Sequence, residues 1–133
     1  MNTLESVKNI ILEHIFPSLK GLKIPVYQFV PRGTAAPFGS ITFAPGGWTN
    51  GLPAGYFQAL VFLELDILSP YAGLQDLHES LEQVIFKLDG MKFPFEGGEF
   101  IVKHKSTDIQ SQLESRQNAL RRGVLRFEVR FKT

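Results

Sequence analysis

Residues 56–90 read YFQALVFLELDILSPYAGLQDLHESLEQVIFKLDG, and the change of period inside this stretch decides the fold. Up to Leu68 the residues alternate. Phe57, Ala59, Val61, Leu63, Leu65 and Ile67 share one face, while Gln58, Glu64 and Asp66 lie on the other with Leu60, Phe62 and Leu68. A period of two is the mark of a β-strand, and apolar residues on both faces predict a central one over 56–68. Beyond it the apolar spacing becomes three and four, at Leu74, Leu77, Leu81, Val84, Ile85 and Leu88, which is the stripe of an amphipathic helix. Ser69 is the expected cap, Pro70 the expected first helical residue, and Asp89-Gly90 the expected end.

Working outward, Leu4, Val7, Ile10, Ile11 and Ile15 predict an N-terminal helix, capped by Asn2 or Thr3 with Glu5, and stopped by Pro17. Strands are expected over 24–30 and 38–44. Pro25 points to an edge position for the first, because proline cannot donate to a ladder. The bridge between them, PRGTAAP (31–37), is unlike a two-residue hairpin turn. The segment PGGWTNGLPAG (45–55) consists of turn formers around Trp48. After the second helix, MKFPFEGG reads as a connection and 99–105 as a short strand. STDIQSQLESRQN (106–118) reads as a loop arm or a loose helix. Leu125, Phe127, Val129 and Phe131 alternate with Arg126, Glu128, Arg130 and Lys132 in a final strand. The expectation is a single α+β domain over 1–133, with a mostly antiparallel, mixed sheet of about five strands packed on two helices in the order α-β-β-β-α-β-β.

Composition bounds the chemistry. With no cysteine among 133 residues, disulfides, thiolate catalysis and cysteine-ligated metals are excluded. No apolar run reaches the roughly 18–20 residues of a membrane span, and MNTLESVKNI lacks the basic and apolar regions of a signal peptide, so a cytosolically made protein is expected. His14, His78 and His104 are not spaced as metal ligands. Asp76, His78 and Ser80 stand two apart on a helix, which turns them about 200° away from one another and rules out a relay. The pairs Gly46-Gly47 and Gly97-Gly98 lack the lysine of a phosphate loop. Glu64 and Asp66 read as a solvated face rather than an acid–base pair. No catalytic residue, cofactor or metal site is expected, and the chain is read as a non-enzyme.

Charge is the more informative signal. Net charge is +1, yet residues 64–99 hold eight acids against Lys87 and Lys92, a balance of −6. Residues 115–133 hold six cations against Glu128, a balance of +5. Complementary regions of this kind suit a head-to-tail contact between neighbouring copies; the other reading is two solvated faces that merely balance each other. The basic strand also raises nucleic-acid binding, although the aromatics that would stack bases fall on its other face.

Three segments together, VYQFVPRGTAAPFGSITF (26–43), LELDILSPYAGLQDLHESLEQVIFKL (63–88) and LRRGVLRFEVRF (120–131), resemble the phage tail-terminator or tail-completion proteins. The resemblance spans nearly the whole chain in element order, and departs from the family at the Trp48 loop and the 106–120 arm. It implies a structural protein that forms a ring, usually hexameric, on the last ring of the tail tube. There it would stop tube growth and present a surface to the head-completion or connector protein, with DNA only as passing cargo. The place implied is the head-proximal end of the virion tail, after assembly in the host bacterial cytoplasm. The expected contact residues are Arg32 on the bridge, Trp48, Arg121, Arg122, Arg126 and Arg130. The alternative is a small-ligand or nucleic-acid binding module without catalysis.

Overall fold

The computed structural model describes residues 4–43, 60–70, 74–95, 97–113 and 119–132. They form one α+β unit with the order α1 (Leu4–Leu19), β1 (Val26–Tyr27), β2 (Phe38–Phe43), β3 (Leu60–Pro70), α2 (Leu74–Leu88), β4 (Lys92–Phe95), β5 (Gly98–Leu113) and β6 (Ala119–Lys132). The six strands make one sheet in the spatial order β1-β2-β3-β6-β5-β4. All neighbours are antiparallel except β1 and β2. The sheet therefore has six strands where about five were expected, with a third strand after α2.

β3 is central, as its two-sided apolar pattern predicts. It pairs with β2 on one side and with β6 on the other, Leu65 lying opposite both Ile41 and Leu125. Val61, Leu63, Leu65 and Ile67 on β3 join Leu125, Phe127, Val129 and Phe131 on β6 in the core. Both helices cover that face: α1 contributes Val7, Ile11 and Ile15, and α2 contributes Leu77, Leu81, Val84 and Leu88. At about 1.5–3 kcal/mol for each fully buried aliphatic or aromatic side chain, this layer is the main source of stability. A second centre of packing is aromatic. Phe100 lies 5.2 Å from Phe93, 5.3 Å from Phe95 and 5.3 Å from Phe131, ring centre to ring centre. The His14 ring of α1 stacks on Phe93 at 4.3 Å.

The bridge 31–37 is explained by strand direction. β1 and β2 run parallel, with Val26 opposite Gly39 and Tyr27 opposite Ser40, and the Gly39 N–H donates to the Pro25 carbonyl at 2.8 Å. A tight hairpin can join only antiparallel strands. The chain must instead travel back before β2 begins, and PRGTAAP provides the return. Its turn is closed by the Thr34 N–H on the Pro31 carbonyl at 3.2 Å, and the Thr34 hydroxyl donates to the same oxygen at 2.6 Å. Gly33 supplies the left-handed residue, φ 81°.

Several expectations are corrected. Pro17 lies inside α1, which continues to Leu19; so near the C-terminal end, a missing N–H costs only one late hydrogen bond. Ser69 and Pro70 are strand residues, opposite Arg121 and Leu120, rather than the cap and first turn of α2. β6 starts early enough to draw β3 onward to that point. The connection MKFPFEGG contains β4, an edge strand on β5 that tolerates Pro94 because one side of it needs no partner. The 106–118 arm is neither loop nor helix through Leu113; it is the far half of β5, paired with β6. The end of α2 stands as expected. Gly90 is left-handed at φ 81°, and the Asp89 carboxylate accepts the backbone N–H of His104 at 2.9 Å. The Trp48 loop lies outside the described residues.

Candidate functional site

β6 divides its side chains between two faces, and the division places the arginines. Leu125, Phe127 and Val129 turn to the helices, so Arg122, Val124, Arg126, Glu128 and Arg130 turn to the face no described helix covers. On β3 the same face carries Phe62, Glu64, Asp66 and Leu68. On β5 it carries Lys103 before the register shift between His104 and Ser106, and Ser106, Asp108 and Gln110 after it. Lys105 is the extra residue of that bulge.

Ion pairs lace this face together. Arg122 donates to the Asp66 carboxylate. Arg126, directly across from Glu64, donates to it at 2.9 Å and to Asp108 at 3.0 Å. Glu128, only 8% exposed, takes Arg130 at 2.8 Å and Lys105 at 3.3 Å. The hydrogen bond to Glu64, then that to Asp108, holds the Arg126 guanidinium above its ordinary value. Val124 sits amid this network at 2% exposure. Glu64 and Asp66, two of the eight acids of the acidic region, are thus already matched to Arg126 and Arg122 of the basic region within one subunit.

Among the described residues, the expected contact residues Arg32, Arg121, Arg122, Arg126 and Arg130 are not all brought to one face. Arg122, Arg126 and Arg130 share the open face with carboxylate partners. Arg121 falls on the other face of β6, opposite Ser69. Arg32 stands alone on the exposed bridge, far in the fold's order from β6. Trp48 lies outside the described residues.

Two features escaped the reading of the sequence. Phe29, where the chain enters the bridge, is 81% exposed, and Phe86 on α2 is 89% exposed. Phe86 was legible in principle, since it stands off the stripe Leu77, Leu81, Val84, Leu88. Phe29 was absorbed into a longer predicted strand, and only the short β1 reveals it. Beside Phe86, a shallow depression of about 390 Å³ is lined by Glu79, Glu82, Gln83 and Lys87. A larger cleft of about 570 Å³ lies between the start of α2, the end of β3 and the foot of the bridge, where Asp76, Glu79 and Lys23 border Ile24, Ile67 and Leu77.

Two of the three histidines have local partners: His14 Nδ1 lies 2.9 Å from the Ile10 carbonyl oxygen, and His104 Nε2 lies 2.7 Å from Thr107 Oγ1. Among the described residues no group of three or more acids and histidines could hold a metal ion, and no described helix is long and apolar enough to cross a membrane.

The architecture can be set beside known proteins. No family model matches the chain, and no curated protein matches it. A solved structure does. A chain from the virion of a native gene transfer agent particle superposes with a TM-score of 0.68 at 16% identity, covering 90% of this chain and 92% of its own. The likeness is one of fold, and it takes in nearly the whole of both chains.

Proposed function

We propose that this chain is a structural virion protein that forms a ring, hexameric as the tail-terminator resemblance implies, on the head-proximal end of a phage-like tail tube. There it stops tube growth and offers the surface on which the head-completion or connector protein docks. The observation that carries the reading is the shared fold with a virion chain over nine-tenths of both molecules. The side chains support a role in assembly: two large aromatics stand in solvent, at the bridge and on α2, where a lone subunit gains nothing from them.

The alternative, a small-ligand or nucleic-acid module, is favoured by the cleft of about 570 Å³. Its acids Asp76 and Glu79 disfavour a phosphate backbone, and Arg122, Arg126 and Arg130 are engaged by carboxylates of their own chain. The test is negative-stain microscopy of the purified protein mixed with tail-tube subunits. Tubes of uniform length with a ring at one end are expected; unlimited tubes, unchanged by the protein, would overturn the reading.

A further inference from the structure

From Lys20 to Leu63 the chain has Lys20, Lys23 and Arg32 and not one acid, whereas from Gln75 to Gln83 it has Asp76, Glu79 and Glu82 and no lysine or arginine. The two most exposed aromatics among the described residues stand on or beside these segments. Phe29 precedes Arg32 by three residues at the bridge, and Phe86 follows Glu79 by seven on α2, with Glu82 between. Seven residues of α-helix bring Glu79 and Phe86 to one side of the helix two turns apart.

We infer that the bridge of one copy docks on the outer face of α2 of a second copy, Phe29 against Phe86 and Arg32 against Glu79, with Glu82 beside them. The depression lined by Glu79, Glu82, Gln83, Phe86 and Lys87 is the seat. The bridge suits the role because Pro31 and Pro37 limit the freedom it loses on docking. In the single chain Phe29 and Arg32 are exposed, and no ion pair among the described residues involves Arg32, Glu79 or Glu82. Bridge and helix are different surfaces, so the contact is heterologous and propagates from copy to copy until the rotation closes. Buried aromatics supply the affinity, and the charges supply register and rate. This contact rests on the ring reading above and names the surface by which the ring is built.

The chain has no cysteine, so introduced thiols report without background. Arg32→Cys and Glu79→Cys proteins, mixed and treated with a bis-maleimide whose thiol-to-thiol span is about 10 Å, the separation that an Arg–Glu pair sets and a direct disulfide cannot bridge, should form a cross-linked heterodimer. The doubly substituted protein should give a ladder of linked subunits ending at the ring. Phe29→Ala, at a site too exposed to matter for folding, should leave the melting temperature unchanged and weaken self-association tenfold or more. No Arg32→Cys to Glu79→Cys link, a link of Arg32→Cys protein only to itself, or Phe29→Ala association equal to wild type would each overturn the contact. The outcomes separate the two readings. A Phe29→Ala protein that still caps tubes contradicts this contact and leaves the ring intact. A wild-type protein that caps nothing contradicts the ring, while the cross-link still decides the contact.

Discussion

Gly123 of β6 and Leu81 of α2 approach so closely that a β-carbon at position 123 would lie 2.9 Å from both methyl groups of Leu81, and 3.2 Å from a methyl of Leu77. The helix rests on the sheet here because nothing projects from it. Both leucines are buried, so they have little space into which to retreat. Gly123→Ala is expected to cost about 1–3 kcal/mol by overpacking, read by denaturant unfolding. Adding Leu81→Ala should recover part of the loss, whereas simple additivity of the two would contradict the contact.

Phe100 is fully buried and meets the rings of Phe93, Phe95 and Phe131. Its removal strips packing from β4, β5 and β6 together. Phe100→Ala should lose about 3–5 kcal/mol, while Phe86→Ala, on the exposed face of α2, should stay within about 0.5 kcal/mol of wild type. Similar losses for the two would mean that Phe86 is not in solvent.

Arg126 stands between Glu64 and Asp108. Arg126→Glu would bring three carboxylates together across β3, β6 and β5, and Arg130→Glu would leave the nearly buried Glu128 with Lys105 alone. Reversing both arginines should therefore lower the monomer's own melting temperature. The exchange Arg126→Glu with Glu64→Arg should restore it in part.

The pH sign follows from the raised Arg126 value. A cation favoured in the folded state contributes fully below its unfolded pKa and loses that contribution only as pH rises through the folded one. For an arginine both lie in strong alkali, so stability should not fall between pH 7 and 9 on this account. Salt is the effective lever, because these exposed pairs are screened. A fall in melting temperature with added sodium chloride should be larger for wild type than for Arg126→Gln.

What the sequence made legible was whatever a buried face enforces. The alternation of Val61 to Ile67, that of Leu125 to Phe131 and the stripe of α2 each follow from one side meeting a core. The far half of β5 has no such side: Thr107 and Ile109 turn toward the helix face yet remain exposed, and the bulge at Lys105 shifts the period. β4 is short and carries Pro94, so it reads as a turn. The parallel partnership of β1 and β2 depends on long-range register, which local propensity does not carry. For the candidate site, charge counts exposed the acidic and basic regions but not that β3 and β6 are neighbours. Adjacency converts Glu64 and Asp66 from an interface into internal partners.

The central claim is that the molecule acts by self-association on a tube end. Electron microscopy of tail-tube subunits assembled with and without this protein tests it most directly. Uniform tubes bearing one terminal ring of this chain are the predicted result. Tubes of unrestricted length, with the protein remaining unbound and monomeric, would contradict it.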